Sequence, residues 1–231
     1  MSGSDSETIT STPRFYDVSG VLPITEFDRL PAGTNVLIKG SSLLGADRIA
    51  LELLSRGDTD GEAKLLVTTD SVAPRIRSRY DELGSLTESE SLQIVDCSGI
   101  SGKGSMHDTD GVKYASSPGD LTGIGIGIVK TTNDLGPRVR TGLRYSIVSL
   151  STILRYADAK RVFNFLHVIS GRIDAAGHLG IATLDPTQFD ERTVNSLLAP
   201  FDVVVDLKER GDEREVRVIG TDNIPRTWTP Y

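Results

Sequence analysis

Two glycines, Gly40 and Gly45, follow the apolar run Asn35-Val36-Leu37-Ile38-Lys39 and precede a helical pattern. Theirs is the spacing of the glycines in G-x-x-x-x-G-K-[ST], a loop whose backbone N–H groups cradle phosphate at a helix N-terminus. Such a loop needs a Lys after the second glycine to reach the β- and γ-phosphates, then a Ser or Thr for Mg²⁺. Those positions hold Ala46 and Asp47. Gly40, Ser41, Ser42, Gly45, Ala46 and Asp47 are therefore the candidate nucleotide contacts of a loop that lacks both its cation and its metal hydroxyl. Asp47, at the helix start, could cap free N–H groups itself, and its charge would oppose a docked phosphate. The plain alternative is a tight strand-to-helix joint that needs no ligand. Leu43 and Leu44 make the loop more apolar than a phosphate cradle should be.

Asp70 ends an apolar strand and is the one candidate for a catalytic base; the competing reading is a turn residue capping the helix that starts near Val72. His107, His167 and His178 share no metal-ligand spacing, so no metal site is expected. Cys97 reads as an inert buried thiol, with no His or basic pair beside it. Ser149 and Ser151 lack the G-x-S-x-G context of a hydrolase nucleophile. Two basic clusters stand out, Arg75, Arg77 and Arg79, and Arg138, Arg140 and Arg144. They read as solvated faces, as a subunit interface or as a DNA-facing surface, and the acidity of the rest of the chain favours the interface.

The elements that must position these residues alternate. Strands are expected at Asn35 to Lys39, Ala63 to Thr69, Leu92 to Asp96, Arg144 to Leu150 and His178 to Leu184. Helices are expected from Leu44 to Arg56, Val72 to Leu83 and Asp158 to Ile173. Another is expected from the capping box at Asp185-Pro186-Thr187-Gln188 to Leu198. Asp120 to Leu135 reads as a helix capped by Asp120, although Gly123, Gly125 and Gly127 weaken it by about 1 kcal/mol each relative to Ala; alternating Gly-Ile could instead be a strand. Cys97 to Gly119 has no periodicity. Phe201 to Leu207 and Arg214 to Ile219 read as a hairpin joined through residues 208–213, and Thr221 to Tyr231 as an irregular tail. Val21-Leu22-Pro23 and Phe27 are expected against a sheet edge. The first twelve residues, rich in Ser, Thr, Asp and Glu, read as a disordered tail. The rest, residues 13–231, reads as a single α/β domain: a mainly parallel sheet with helices on both faces and an antiparallel hairpin at its C-terminal edge.

Bulk composition narrows the function classes. The formal charge is -7, made from 21 Asp, 11 Glu, 18 Arg and 7 Lys. Short acids in place of long Lys stems suit a surface kept hydrated in strong brine, as in salt-loving archaea; the plain alternative is an ordinary acidic protein from a GC-rich genome. An acidic surface also makes a broad nucleic-acid footprint unlikely. Apolar runs such as Phe201 to Val205 are too short to span a bilayer. The N-terminus has no secretory signal pattern, and Cys97 is the only cysteine, so a cytoplasmic location is expected.

Several segments, in their order along the chain, resemble the RecA superfamily, in particular the archaeal branch related to the circadian-clock ATPase KaiC and the gas-vesicle regulator GvpD. Leu30-Pro31-Ala32-Gly33-Thr34 with the strand after it resembles the entry into the family's phosphate loop. Val67-Thr68-Thr69-Asp70 resembles the strand end that carries a catalytic Glu. Ser149-Leu150-Ser151-Thr152-Ile153-Leu154 resembles the segment around a Mg²⁺-associated Asp. Ser117 to Gly125 and Trp228-Thr229-Pro230-Tyr231 resemble a haloarchaeal subgroup. The resemblance implies a RecA-like P-loop NTPase fold, and against it the phosphate and metal motifs are degenerate. Ala46 and Asp47 replace Lys and the hydroxyl, Val148 or Ser149 stands for the Asp, and residues 219–222 lack the trans-acting Lys and Arg. Asp70 is left as a vestigial base. The expectation is a non-catalytic pseudo-ATPase without cofactor, a regulatory or scaffold protein forming homo-oligomers or hetero-oligomers with a related RecA-like chain. The alternatives are a nucleotide-binding protein that holds ATP weakly with weak or no hydrolysis, and a DNA-recombination accessory protein.

Overall fold

Strand parity divides the apolar residues between two cores. In β3 (Asn35–Lys39) Val36 and Ile38 face one side of the sheet and Leu37 the other, as a two-residue period requires. The computed structural model describes residues 15–56, 62–83, 92–99, 107–109, 111–221 and 224–231. The expected tail and residues 57–61, 84–91, 100–106, 110 and 222–223 lie outside the described residues, as does the side chain of Arg140.

The main sheet has nine strands in the order β11-β10-β9-β3-β8-β7-β4-β5-β6. These are β4 (Ala63–Thr68), β5 (Leu92–Asp96), β6 (Val112–Tyr114), β7 (Leu143–Val148), β8 (Leu179–Leu184), β9 (Val203–Arg210), β10 (Glu213–Ile219) and β11 (Thr229–Pro230), with β3 among them. From β9 to β6 the strands run parallel, while β10 and β11 are antiparallel. The α/β class, the parallel sheet and the antiparallel C-terminal edge thus agree with the sequence reading. On one face pack α1 (Ala46–Ser55), α2 (Ala73–Asp81) and a small sheet of β1 (Phe15–Asp17) and β2 (Arg29–Pro31). Leu22 and Phe27 are buried in that core. On the other face pack α3 (Leu121–Leu135), α4 (Leu150–Tyr156), α5 (Ala159–Ala176) and α6 (Glu191–Ser196).

Five elements differ from the expectation. The strand expected to reach Leu150 stops at Val148, where Thr69 binds the turn: its hydroxyl donates to the Val148 and Ser149 carbonyls and accepts from the Ser149 N–H at 2.8 Å. Leu150 then opens α4, a helix too short to show a clear period. The helix expected from Asp185 is broken in two. Asp185 caps a single 3-10 turn at Pro186–Gln188, and α6 starts later under the cap of Asp190. The aperiodic loop contains β6, and the irregular tail contains β11. Both are short strands whose partners are distant in sequence, which no local pattern reveals. The hairpin is tighter than expected, since β9 and β10 run on to Arg210 and from Glu213 around Gly211. Gly211 takes a positive φ of 65°, as the first position of a two-residue turn favours.

The α3 helix is capped by Asp120, whose carboxylate accepts from the Gly123 N–H at 2.8 Å. The last glycine of its repeat has a packing cause. A Cβ on Gly127 would lie 2.7 Å from Val95 of β5, so this helix approaches the sheet more closely than an alanine would permit. Arg144, read as part of a surface cluster, is fully buried. Its guanidinium is paired with Glu62 and donates to the carbonyls of Leu53 at 2.7 Å and Asp17 at 2.9 Å. Four apolar neighbours in the sequence hide this role, because nothing local marks which face of β7 an arginine will take.

Candidate functional site

β3 ends at the C-terminal edge of the parallel strands, where open α/β sheets place their ligands. Gly40 continues the ladder, its N–H donating to Leu184 at 2.9 Å. A Cβ on Gly40 would lie 2.7 Å from the Leu207 Cβ, so packing against β9 by itself accounts for a glycine here. Ser42–Leu44 form a 3-10 turn rather than an open cradle. The N–H of Leu44 donates to Ser41 at 3.0 Å, that of Gly45 to Ser42 at 3.0 Å and that of Ala46 to Ser41 at 3.5 Å. A phosphate loop aims such groups at its ligand; here these three turn inward. Gly45 closes the turn at φ 84°, and α1 begins at Ala46, which is buried in the core.

Asp47 does not cap the helix; no side chain caps α1. Its buried carboxylate instead accepts from the Ser42 hydroxyl at 2.8 Å and from the Thr183 hydroxyl of β8 at 3.3 Å. Arg79 of α2 stands 3.8 Å away. A carboxylate out of water needs such partners. The Ser41 side chain plays no part in this arrangement, whereas its carbonyl accepts twice. Asp70 is exposed at the end of β4. Its surroundings still partly desolvate it and the Asp47 carboxylate adds repulsion, so its pKa is raised even though Arg79 opposes the shift. It does not cap α2. That task falls to Asp96 of β5, which accepts from the Ala73 N–H at 2.8 Å.

The structure thus brings Ser42 and Asp47 together and sets Asp70 within electrostatic reach, while Gly40 and Ala46 face packing. Three contributors escaped the sequence reading. Thr183 carried no signal beyond a polar residue in an apolar strand. Arg79 was visible only as one of a cluster, yet its neighbour Arg77 turns to the Leu92 carbonyl at 3.1 Å. The third is Tyr231: β11 brings the tail across β10, and the Tyr231 phenol donates to the Leu44 carbonyl inside the loop. Lys39, the last residue before the loop, is held by Asp206 at 3.2 Å, which also takes Arg217 at 2.7 Å. Trp228 lies against both Arg217 and Lys208. Elsewhere, burial pushes the Cys97 thiol far up, consistent with an inert group. His167 is exposed and stacks on Phe163. Among the described residues no cluster of His, Cys, Asp and Glu could hold a metal ion, and no helix is long and apolar enough to cross a membrane.

The fold is that of the KaiC-like RecA proteins. The structure is similar to the crystal structure of a KaiC-like protein, PH0186, from the hyperthermophilic archaeon Pyrococcus horikoshii OT3. The TM-score is 0.62 at 18% sequence identity, over 87% of this chain and 86% of that one. At that identity the likeness is one of fold. No curated protein matches the sequence. Residues 33–207, from the entry to β3 through most of β9, match a family of unknown function, DUF7504. The chain belongs to that family.

Proposed function

We propose that this protein is a RecA/KaiC-like pseudo-ATPase that acts without catalysis, as a regulatory or scaffold protein through protein contacts. It assembles with copies of itself or with a related RecA-like chain. The observation that carries this reading is the self-satisfied loop, in which Asp47, held by Ser42 and Thr183, stands beside inward-turned N–H groups. Catalysis of phosphoryl transfer is mostly positioning and electrostatics. A buried carboxylate in place of the metal hydroxyl, with Ala46 in place of the Lys, works against both. Asp70 keeps the place of a base but has no phosphate clamp beside it. The Asp-rich, Lys-poor composition supports a salt-loving archaeal source, and the single cysteine supports a cytoplasmic setting.

A second reading, nucleotide binding without turnover, is favoured by one feature: nothing lies within 4 Å of where a Gly45 Cβ would stand, so that side of the turn is open. Two assays in molar KCl test the proposal. Phosphate release from ATP with Mg²⁺ should stay at the buffer rate, and light scattering should give a mass above the 24.9 kDa chain that grows with concentration. Turnover that Asp70→Ala abolishes would overturn the non-catalytic part. A monomer at every concentration, alone and with a related RecA-like chain, would overturn the assembly part.

A further inference from the structure

The helices over β7 diverge. α3 packs on β4, β5 and β6, whereas α5 packs on β3 and β8, so β7 runs beneath the gap between them. At the gap lies a cleft of about 390 Å³, far from the β3–α1 loop. Its walls are apolar, from Ile128 and Val129 on one helix and Ile169 and Ile173 on the other. Its depth is polar. His178, at the threshold of β8, is only 6% exposed, and no hydrogen bond reaches its Nδ1. Its ring lies 5.9 Å from that of Tyr145, whose hydroxyl is 3.3 Å from Thr132 Oγ1. At the mouth stands Arg172, exposed, on the α5 side. A buried imidazole nitrogen left without a partner is uncommon in a native core and calls for an explanation.

We propose that this cleft binds a small aromatic carboxylate carrying a hydroxyl or carbonyl group at the end remote from its acid. The volume is at the lower end of the range of about 300–1,000 Å³ typical of small-molecule sites, too small for a peptide or a nucleic acid. The isoleucine walls take a flat apolar body. Arg172 supplies the complementary charge on an otherwise acidic protein, with the fork geometry that suits a carboxylate. The Tyr145 hydroxyl and the His178 imidazole meet the remote polar group. This site is separate from the loop and does not depend on the pseudo-ATPase reading.

The test uses 4-hydroxyphenylacetate as probe and the imidazole proton resonances as readout. The chain has three histidines, and only His178 lines the cleft. Saturable binding with Kd at or below about 1 mM should shift the one imidazole resonance that His178→Gln removes, leaving His107 and His167 unmoved. Arg172→Ala, at an exposed position, should weaken binding about tenfold, and uncharged 4-hydroxyphenylacetamide should bind the native protein about tenfold more weakly than the acid. Val129→Trp, which puts a bulky side chain on a half-exposed position of the apolar wall, should abolish the shift. No shift of the His178 resonance up to about 10 mM probe, or a shift unaffected by Arg172→Ala or by Val129→Trp, would overturn the proposal.

Discussion

The Ser42 hydroxyl donates at 2.8 Å to the Asp47 carboxylate, tying the 3-10 turn to the first turn of α1. In a phosphate loop the groups at these two places would serve a ligand; here they serve each other. Thr183 and Arg79 complete the ring around Asp47 from β8 and α2, so the joint holds together three elements of the sheet's C-terminal edge.

Asp47→Ala should therefore destabilise the fold. It leaves two hydroxyls without their acceptor and removes the partner of Arg79. The expected loss is about 1–3 kcal/mol in denaturant unfolding, with Asp47→Asn recovering part of it. An Asp47→Ala protein as stable as the wild type would mean that the carboxylate is not structural.

Gly40→Ala separates packing from ligand binding. The added Cβ would stand 2.7 Å from the Leu207 Cβ, an atom fixed close to the backbone of β9. Overpacking of this kind costs about 1–3 kcal/mol. In the Gly40→Ala/Leu207→Gly double variant the losses should be clearly less than additive, because the second change removes the obstructing Cβ. Strict additivity would contradict the packing role.

Much of this joint was legible in the sequence. The run Asn35 to Lys39, the two glycines and the helix after them fixed a strand, a turn and a helix, because each is a local pattern. The missing Lys was legible too. What Asp47 does was not: capping its own helix was the local expectation, and its real partners include Thr183 on β8 and Arg79 on α2. The same limit explains β6 and β11, whose pairing is long-range, and Arg144, whose burial depends on Glu62 and two distant carbonyls. Local signals placed the elements, and contacts between elements assigned the side chains.

The buried charges under α1 give a pH signature. Lys64 and Arg144 stand opposite one another on β4 and β7. Burial, and secondarily the Arg144 charge, lower the Lys64 pKa to about 8 from 10.5. Between these values the folded chain has released a proton that the unfolded chain still holds, so unfolding takes up a proton and stability rises with pH. From about pH 7.5 to about pH 9.5 the rise should approach 2 kcal/mol, and Lys64→Met should flatten it. Tyr16 works the other way only at higher pH. Its phenol is pushed up to about 12, chiefly by burial, so its contribution is lost as pH rises from 10 towards that value. An equal rise in Lys64→Met would contradict the assignment.

The most direct test of the central claim is calorimetric titration of ATP with Mg²⁺ into the protein in molar KCl. The self-satisfied loop should give no binding tighter than about 100 µM, which corresponds to about -5.5 kcal/mol. Saturable binding tighter than that, abolished by a bulky substitution at Gly45, would show that the loop still serves a nucleotide and would contradict the account.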